Sequence, residues 1–120
     1  MVSNMSSRNK DERANVNALV KAIQKNSPHQ VYVHIDRDSG SARHTSSGYD
    51  FLMASEGRVI FVEAKQPKGK MSSWQQFAQA QITASGTKYC VVIFSDDGKS
   101  FQIDGGKRID IETVKFEDFL

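Results

Sequence analysis

Tyr49-Asp50-Phe51-Leu52-Met53-Ala54-Ser55-Glu56-Gly57-Arg58-Val59-Ile60-Phe61-Val62-Glu63-Ala64-Lys65 is the stretch that decides how this chain folds. Two runs rich in β-branched and aromatic residues flank Ser55-Glu56-Gly57-Arg58, and Gly57 supplies the positive φ that a two-residue hairpin turn needs. With Glu56-Gly57 as the turn, Asp50 falls opposite Glu63, and directly opposed residues share a face. Period-two alternation then gathers Asp50, Glu63 and Lys65 at the open end of the hairpin, on the face of Leu52, Ala54, Val59 and Phe61. Phe51, Met53, Ile60 and Val62 take the other face. Both faces are apolar, which predicts central strands covered on both sides. Two carboxylates and an ammonium in such a place are costly to desolvate unless they pair or do chemistry. A register slip of one residue would send Asp50 and Glu63 to opposite faces.

Downstream, Gln66-Pro67-Lys68-Gly69-Lys70 breaks the strand. Lys65, Lys68 and Lys70 make a short basic strip beside the carboxylates, which suits a phosphodiester substrate with metal ions between, or is a solvated lysine loop. Ser72 or Ser73 can cap a helix running to about Ser85 and ended by Gly86, with Trp74, Phe77, Ala78 and Ile82 as its packing face. Tyr89-Cys90-Val91-Val92-Ile93-Phe94, within Lys88 to Phe94, is an apolar strand of the doubly buried kind. Strand, helix, strand is a crossover unit, so this strand is expected parallel to the second arm of the hairpin. Residues 100–103 read as a short strand, and 110–120 as a closing helix or an extended tail.

Upstream, residues 1–7 are polar and expected to fray. From about Arg8 to Asn26 the spacing of Val16, Leu19, Val20 and Ile23 makes one helical stripe, stopped by Asn26-Ser27-Pro28. Glu12 extends that stripe by one turn, where a carboxylate either pairs, ligates, or simply favours an early helical turn through the dipole. Gln30 to Asp36 alternates as a strand with Val31, Val33 and Ile35 on one face. Residues 37–48 form a polar loop carrying Arg43 and His44, a candidate substrate-contacting element.

The 120 residues suit one domain, and 38% hydrophobic with 25% charged residues is ordinary for a soluble globular chain. No apolar run reaches membrane-span length, so no membrane association is expected. Cys90 is the only cysteine, which excludes an internal disulfide and suggests an intracellular, cytoplasmic setting. A net charge of +2 does not by itself require a nucleic-acid partner. His29, His34 and His44 lack chelating spacing. Cys90 and Trp74 read first as packing residues.

Helix with Glu12, strand, Gly48-Tyr49-Asp50, Glu63-Ala64-Lys65, helix with Gln75, strand: this order resembles the PD-(D/E)XK nuclease superfamily. The pattern G-x-D, E-x-K, then Gly69-Lys70-Met71-Ser72-Ser73-Trp74-Gln75, is similar to the VRR-NUC branch and to Holliday-junction resolvases. The resemblance covers most of residues 12–94. The Pro usual before the aspartate is Tyr49 here, a change in a backbone device rather than in a reacting group. The resemblance implies a restriction-endonuclease-like α/β domain, with a central mixed sheet flanked by helices. It implies Mg²⁺ or Mn²⁺ held by Asp50, Glu63 and the Ala64 carbonyl, with Glu12 adding a ligand directly or through water. Lys65 would orient the attacking water or stabilise the phosphate, and Gln75 (or its neighbour Gln76) would hydrogen-bond at the site. Lys68, Lys70, Arg43 and His44 would contact DNA. The expected activity is divalent-metal-dependent endonucleolytic hydrolysis without a covalent intermediate. The preferred substrate is branched DNA (a junction, flap or fork), cut by a homodimer. The rivals are a sequence-specific restriction-type nuclease, an inactive nucleic-acid-binding or interaction module on the same fold, and, for the three charges alone, a cross-strand salt bridge at a sheet edge.

Overall fold

The structure of the protein, a computed structural model, describes residues 4–36 and 47–120 and, within the first helix, side chains from Glu12 onward. Arg43 and His44, with most of the polar loop, lie outside the described residues. The chain is α/β: helix α1 (Asn4–Asn26), strands β1 (Tyr32–Ile35), β2 (Phe51–Ser55) and β3 (Arg58–Lys65), helix α2 (Ser73–Ala84), strands β4 (Lys88–Phe94), β5 (Ser100–Ile103) and β6 (Arg108–Asp110), and a 3-10 turn at Phe116–Phe119. The six strands lie in sequence order in one mixed sheet. Among the described strands only β3 and β4 run parallel, because α2 carries the chain back between them.

The hairpin register is the expected one, from Phe51 opposite Val62 to Ser55 opposite Arg58. Glu56 (φ 53°) and Gly57 (φ 78°) are both left-handed, the geometry of a type I′ turn, whose twist matches that of the flanking strands. The ladder ends one residue before the expected site pair. Asp50 donates its N–H to Val62 O at 2.9 Å, a step off the register, so Asp50 and Glu63 are not a rung of the ladder.

One face of the sheet carries the core. Phe51, Met53, Ile60, Val62, Ala64, Cys90, Val92, Phe94 and Phe101 pack with Val16, Leu19, Val20 and Ile23 of α1, the stripe that period 3.6 predicts. Burial, with Asp104 next and Lys88 opposing, pushes the Cys90 thiol up to about 11. Of the closing helix or extended tail expected over 110–120, the structure has a short 3-10 helix at Phe116–Phe119, with Asp110 taken into β6. The segment buries Val114, Phe116 and Phe119 in that core, and Phe119 stacks on Phe101 with centroids 6.0 Å apart. Asn26 Nδ2 donates to the carbonyls of Glu112 and Val114, and Ser27 Oγ accepts the Phe116 N–H. These bonds satisfy the backbone of the segment at the C-terminal end of α1. Helix α1 starts at Asn4, ahead of the expected Arg8.

The second face is less covered than two apolar strand faces suggested. Leu52, Ala54 and Phe61 are half-buried and Val59 is 42% exposed. Helix α2 buries only Ala78, leaving Trp74 49% and Phe77 51% exposed. The reason is topological. One crossover helix cannot roof a six-stranded sheet, and α2 sits on the Gly48 segment, where a Cβ at Gly48 would come within 2.4 Å of Ala78 Cβ.

Candidate active site

Four elements meet at the C-terminal end of β3. Glu63 and Lys65 project from the strand's last residues, on the face of Phe61, as period-two alternation requires. Glu63 is 3% exposed, and its Oε2 lies 3.4 Å from Lys65 Nζ. Asp50 enters just before β2, with its Oδ2 accepting the backbone N–H of Ala64 at 2.7 Å. Gln75 comes from the first turn of α2. Its Nε2 donates to Glu63 Oε2 at 2.7 Å, while its Oε1 accepts the Ser72 N–H at 2.8 Å. Ser72 Oγ in turn accepts the Gln75 N–H, so a capping box fixes the helix start and the glutamine together. The amide that reaches the site is therefore Gln75, whereas Gln76 Nε2 bonds Met71 O outside it.

Electrostatics separates this cluster from a simple salt bridge. Burial, reinforced by the charge of Asp50 and opposed by Lys65, pushes the Glu63 carboxyl up to about 8. Asp50 is raised by burial and by Asp36, against the lowering effect of the Ala64 N–H and Lys65. Glu12, half-buried, is raised by burial and by Asp50, with Lys65 opposing, so the helical carboxylate does stand close enough to feel the others. With one lysine among them, burial and mutual repulsion hold these carboxyls toward their neutral forms, a kind of perturbation that clusters at functional sites.

The sequence reading missed Asp36 and Tyr89. Asp36 closes β1 and donates its N–H to Asp50 O at 2.8 Å, and its carboxylate accepts the Ser47 hydroxyl. Tyr89 OH donates to Gly48 O at 2.6 Å, tying β4 to the segment that delivers Asp50. Asp36 had a signal, an acid at the end of the neighbouring strand, whereas Tyr89 had none beyond its place in an apolar run. Lys68 and Lys70 are exposed on the segment after β3.

A scan against protein-family models and a search of curated proteins find no match for this chain.

Among the described residues, no three His, Cys, Asp or Glu side chains are grouped so as to hold a metal ion. Two hard carboxylates remain, Asp50 and Glu63, and Mg²⁺ is commonly bound through one or two carboxylates while keeping several waters. The donor chemistry fits such an ion, and the raised carboxyls are the groups a cation would neutralise. No helix among the described residues is long and apolar enough to cross a membrane.

Proposed function

We propose that this chain is a divalent-metal-dependent endonuclease of restriction-endonuclease-like fold that hydrolyses DNA phosphodiester bonds. The observation that carries the reading is the buried Glu63 carboxylate, shared by Lys65 at 3.4 Å and Gln75 at 2.7 Å, beside Asp50 anchored on Ala64 N. The charged groups and the amide of the D…E-x-K pattern thus converge at one strand end. In the proposed chemistry Asp50 and Glu63 hold Mg²⁺ or Mn²⁺, with the Ala64 carbonyl as the ligand the family resemblance adds. Such a cation neutralises charge building on the phosphate and lowers the pKa of water. Lys65 places a positive charge where the phosphorane forms, and Gln75 holds Glu63 in one orientation. Glu12 and Asp36 keep the local field negative, which favours cation entry. Lys68 and Lys70 contact the DNA backbone.

A small domain has little surface for reading base edges, which favours structure-selective cleavage of a junction, flap or fork by a homodimer. The second reading, a catalytically silent binding module, is disfavoured by the cost of keeping Glu63 buried next to Asp50. The test is cleavage of branched and linear DNA of matched sequence in Mg²⁺, Mn²⁺ or EDTA. Wild type cuts with metal and not in EDTA, and Glu63→Ala does not cut. No cleavage of either DNA with either metal, or a Glu63→Ala variant as active as wild type, removes the proposal.

A further inference from the structure

We propose that Tyr89 is a positioning residue of the Asp50–Glu63 site, its hydroxyl fixing, through the Gly48 carbonyl, the segment that delivers Asp50. The proposal rests on the metal-site reading above and deepens it. Tyr89 OH donates to Gly48 O at 2.6 Å, from a side chain that is 6% exposed. Tyr89 lies opposite Phe61 in the parallel ladder, so it stands on the face of Glu63 and Lys65. Burial, then the charges of Glu63 and Asp50, raise the phenol above its ordinary value, so the hydroxyl stays a donor at working pH.

Gly48 is where the segment needs a hold from outside. At φ 87° it occupies the left-handed region, and a glycine has the most backbone freedom to lose. Tyr49 alone separates it from Asp50, whose carboxylate takes the Ala64 N–H. The Tyr49 ring stands edge-on to Phe61 with centroids 4.8 Å apart, and the Asp50 N–H reaches Val62 O. Those two contacts hold the segment to β3, and the Tyr89 bond holds it to β4. Since β3 carries Glu63 and pairs with β4, the second hold refers Asp50 to the same strand pair as Glu63. It thereby sets the spacing of the two carboxylates that would share a cation, the part that groups behind metal ligands play. Misplacement by about 1 Å in such a site can cost about a hundredfold.

Tyr89→Phe removes the hydroxyl and keeps the ring. Its control is Ser55→Ala, which removes another hydroxyl bond, to Gln30 O at 2.8 Å, at the far end of β2. In EDTA, amide hydrogen exchange at Ala64 is expected to run about tenfold faster in Tyr89→Phe, measured against the rest of β3. Mg²⁺ affinity, read by calorimetry, is expected to fall about tenfold. Ser55→Ala lowers the melting temperature and leaves both quantities at their wild-type values. Ala64 exchange in Tyr89→Phe that keeps pace with the rest of β3 overturns the proposal. So does wild-type Mg²⁺ affinity in that variant, or an equal loss in Ser55→Ala, since the effect is then a general loosening. Wild type that binds neither Mg²⁺ nor Mn²⁺, with Ala64 loosened in Tyr89→Phe, refutes the metal-dependent endonuclease and leaves the tie between Tyr89 and Asp50 standing.

Discussion

The Asp50 carboxylate accepts the backbone N–H of Ala64 across 2.7 Å, and this bond, rather than a rung of the ladder, sets where the first carboxylate lies. It couples the last residue before β2 to the residue between Glu63 and Lys65. Asp50→Asn can still present an amide oxygen to that N–H and removes a charge whose burial is unfavourable. The variant is expected to melt at or above the wild-type temperature and to lose at least about a hundredfold in DNA cleavage, a loss of the size seen when a single preorganised transition-state group is removed. Calorimetry and a cleavage time course on one preparation check both halves.

Stability of the metal-free protein follows the raised carboxyls. Glu63 titrates at about 8 when folded, against 4.5 when exposed, so between those values the folded state binds more protons than the unfolded one. Stability is then present at low pH and is lost as pH rises across that window. Asp50 and Glu12, also raised, act in the same direction. Thermal melts in EDTA are expected to show a lower Tm at pH 8 than at pH 5.5, a slope that Glu63→Gln flattens. Mg²⁺ at pH 8 should recover the lost Tm by binding the folded state alone.

Gln75 acts through Glu63 and through its own helix cap. Gln75→Ala removes the 2.7 Å bond to Glu63 and the bond from Ser72 N, leaving the Ser72 hydroxyl to cap the helix. Losing a partner that orients a ligand costs about 10- to 100-fold in metal affinity or activity, and losing half of a capping box costs at most about 1 kcal/mol. Metal titration by calorimetry separates the two effects, and Gln76→Ala is the control that should change neither.

Lys68 sits at φ 66°, third in a turn with Pro67 second and the Gly69 N–H bonded to Gln66 O at 2.9 Å. That is the type II pattern, whose third position favours Gly. A left-handed lysine costs about 1 kcal/mol or more, a strain that places a cation in the turn that follows β3. Lys68→Gly is expected to raise stability by up to about 1 kcal/mol while weakening DNA binding and flattening its salt dependence. Denaturant melts and binding at two salt concentrations measure both.

The hairpin was legible because its information is local. Alternation names the faces, Gly57 marks the turn, and the register follows from both. The α1 stripe, the Ser72 cap and the parallel crossover were legible for the same reason. Burial of the second face was not. Leu52, Val59 and Phe61 are apolar whether or not a helix covers them, and the area α2 can roof depends on where the Gly48 segment passes beneath it. The C-terminal segment stayed open between helix and tail for a related reason: Val114, Phe116 and Phe119 are too few to fix a period, and only the space beside Phe101 gives them a common destination.

By itself the sequence determined strands β1 to β5 but not β6, how the hairpin is registered, and that Asp50, Glu63 and Lys65 belong to one end of it. Those are consequences of side-chain period and turn chemistry within a few residues. Tertiary structure alone decided that Gln75 rather than Gln76 reaches Glu63, that Asp36 and Glu12 share the field of Asp50, and that Trp74 and Phe77 are left about half exposed. Those depend on distances between segments far apart in the chain, set by how closely helices and sheet pack, which no local pattern encodes.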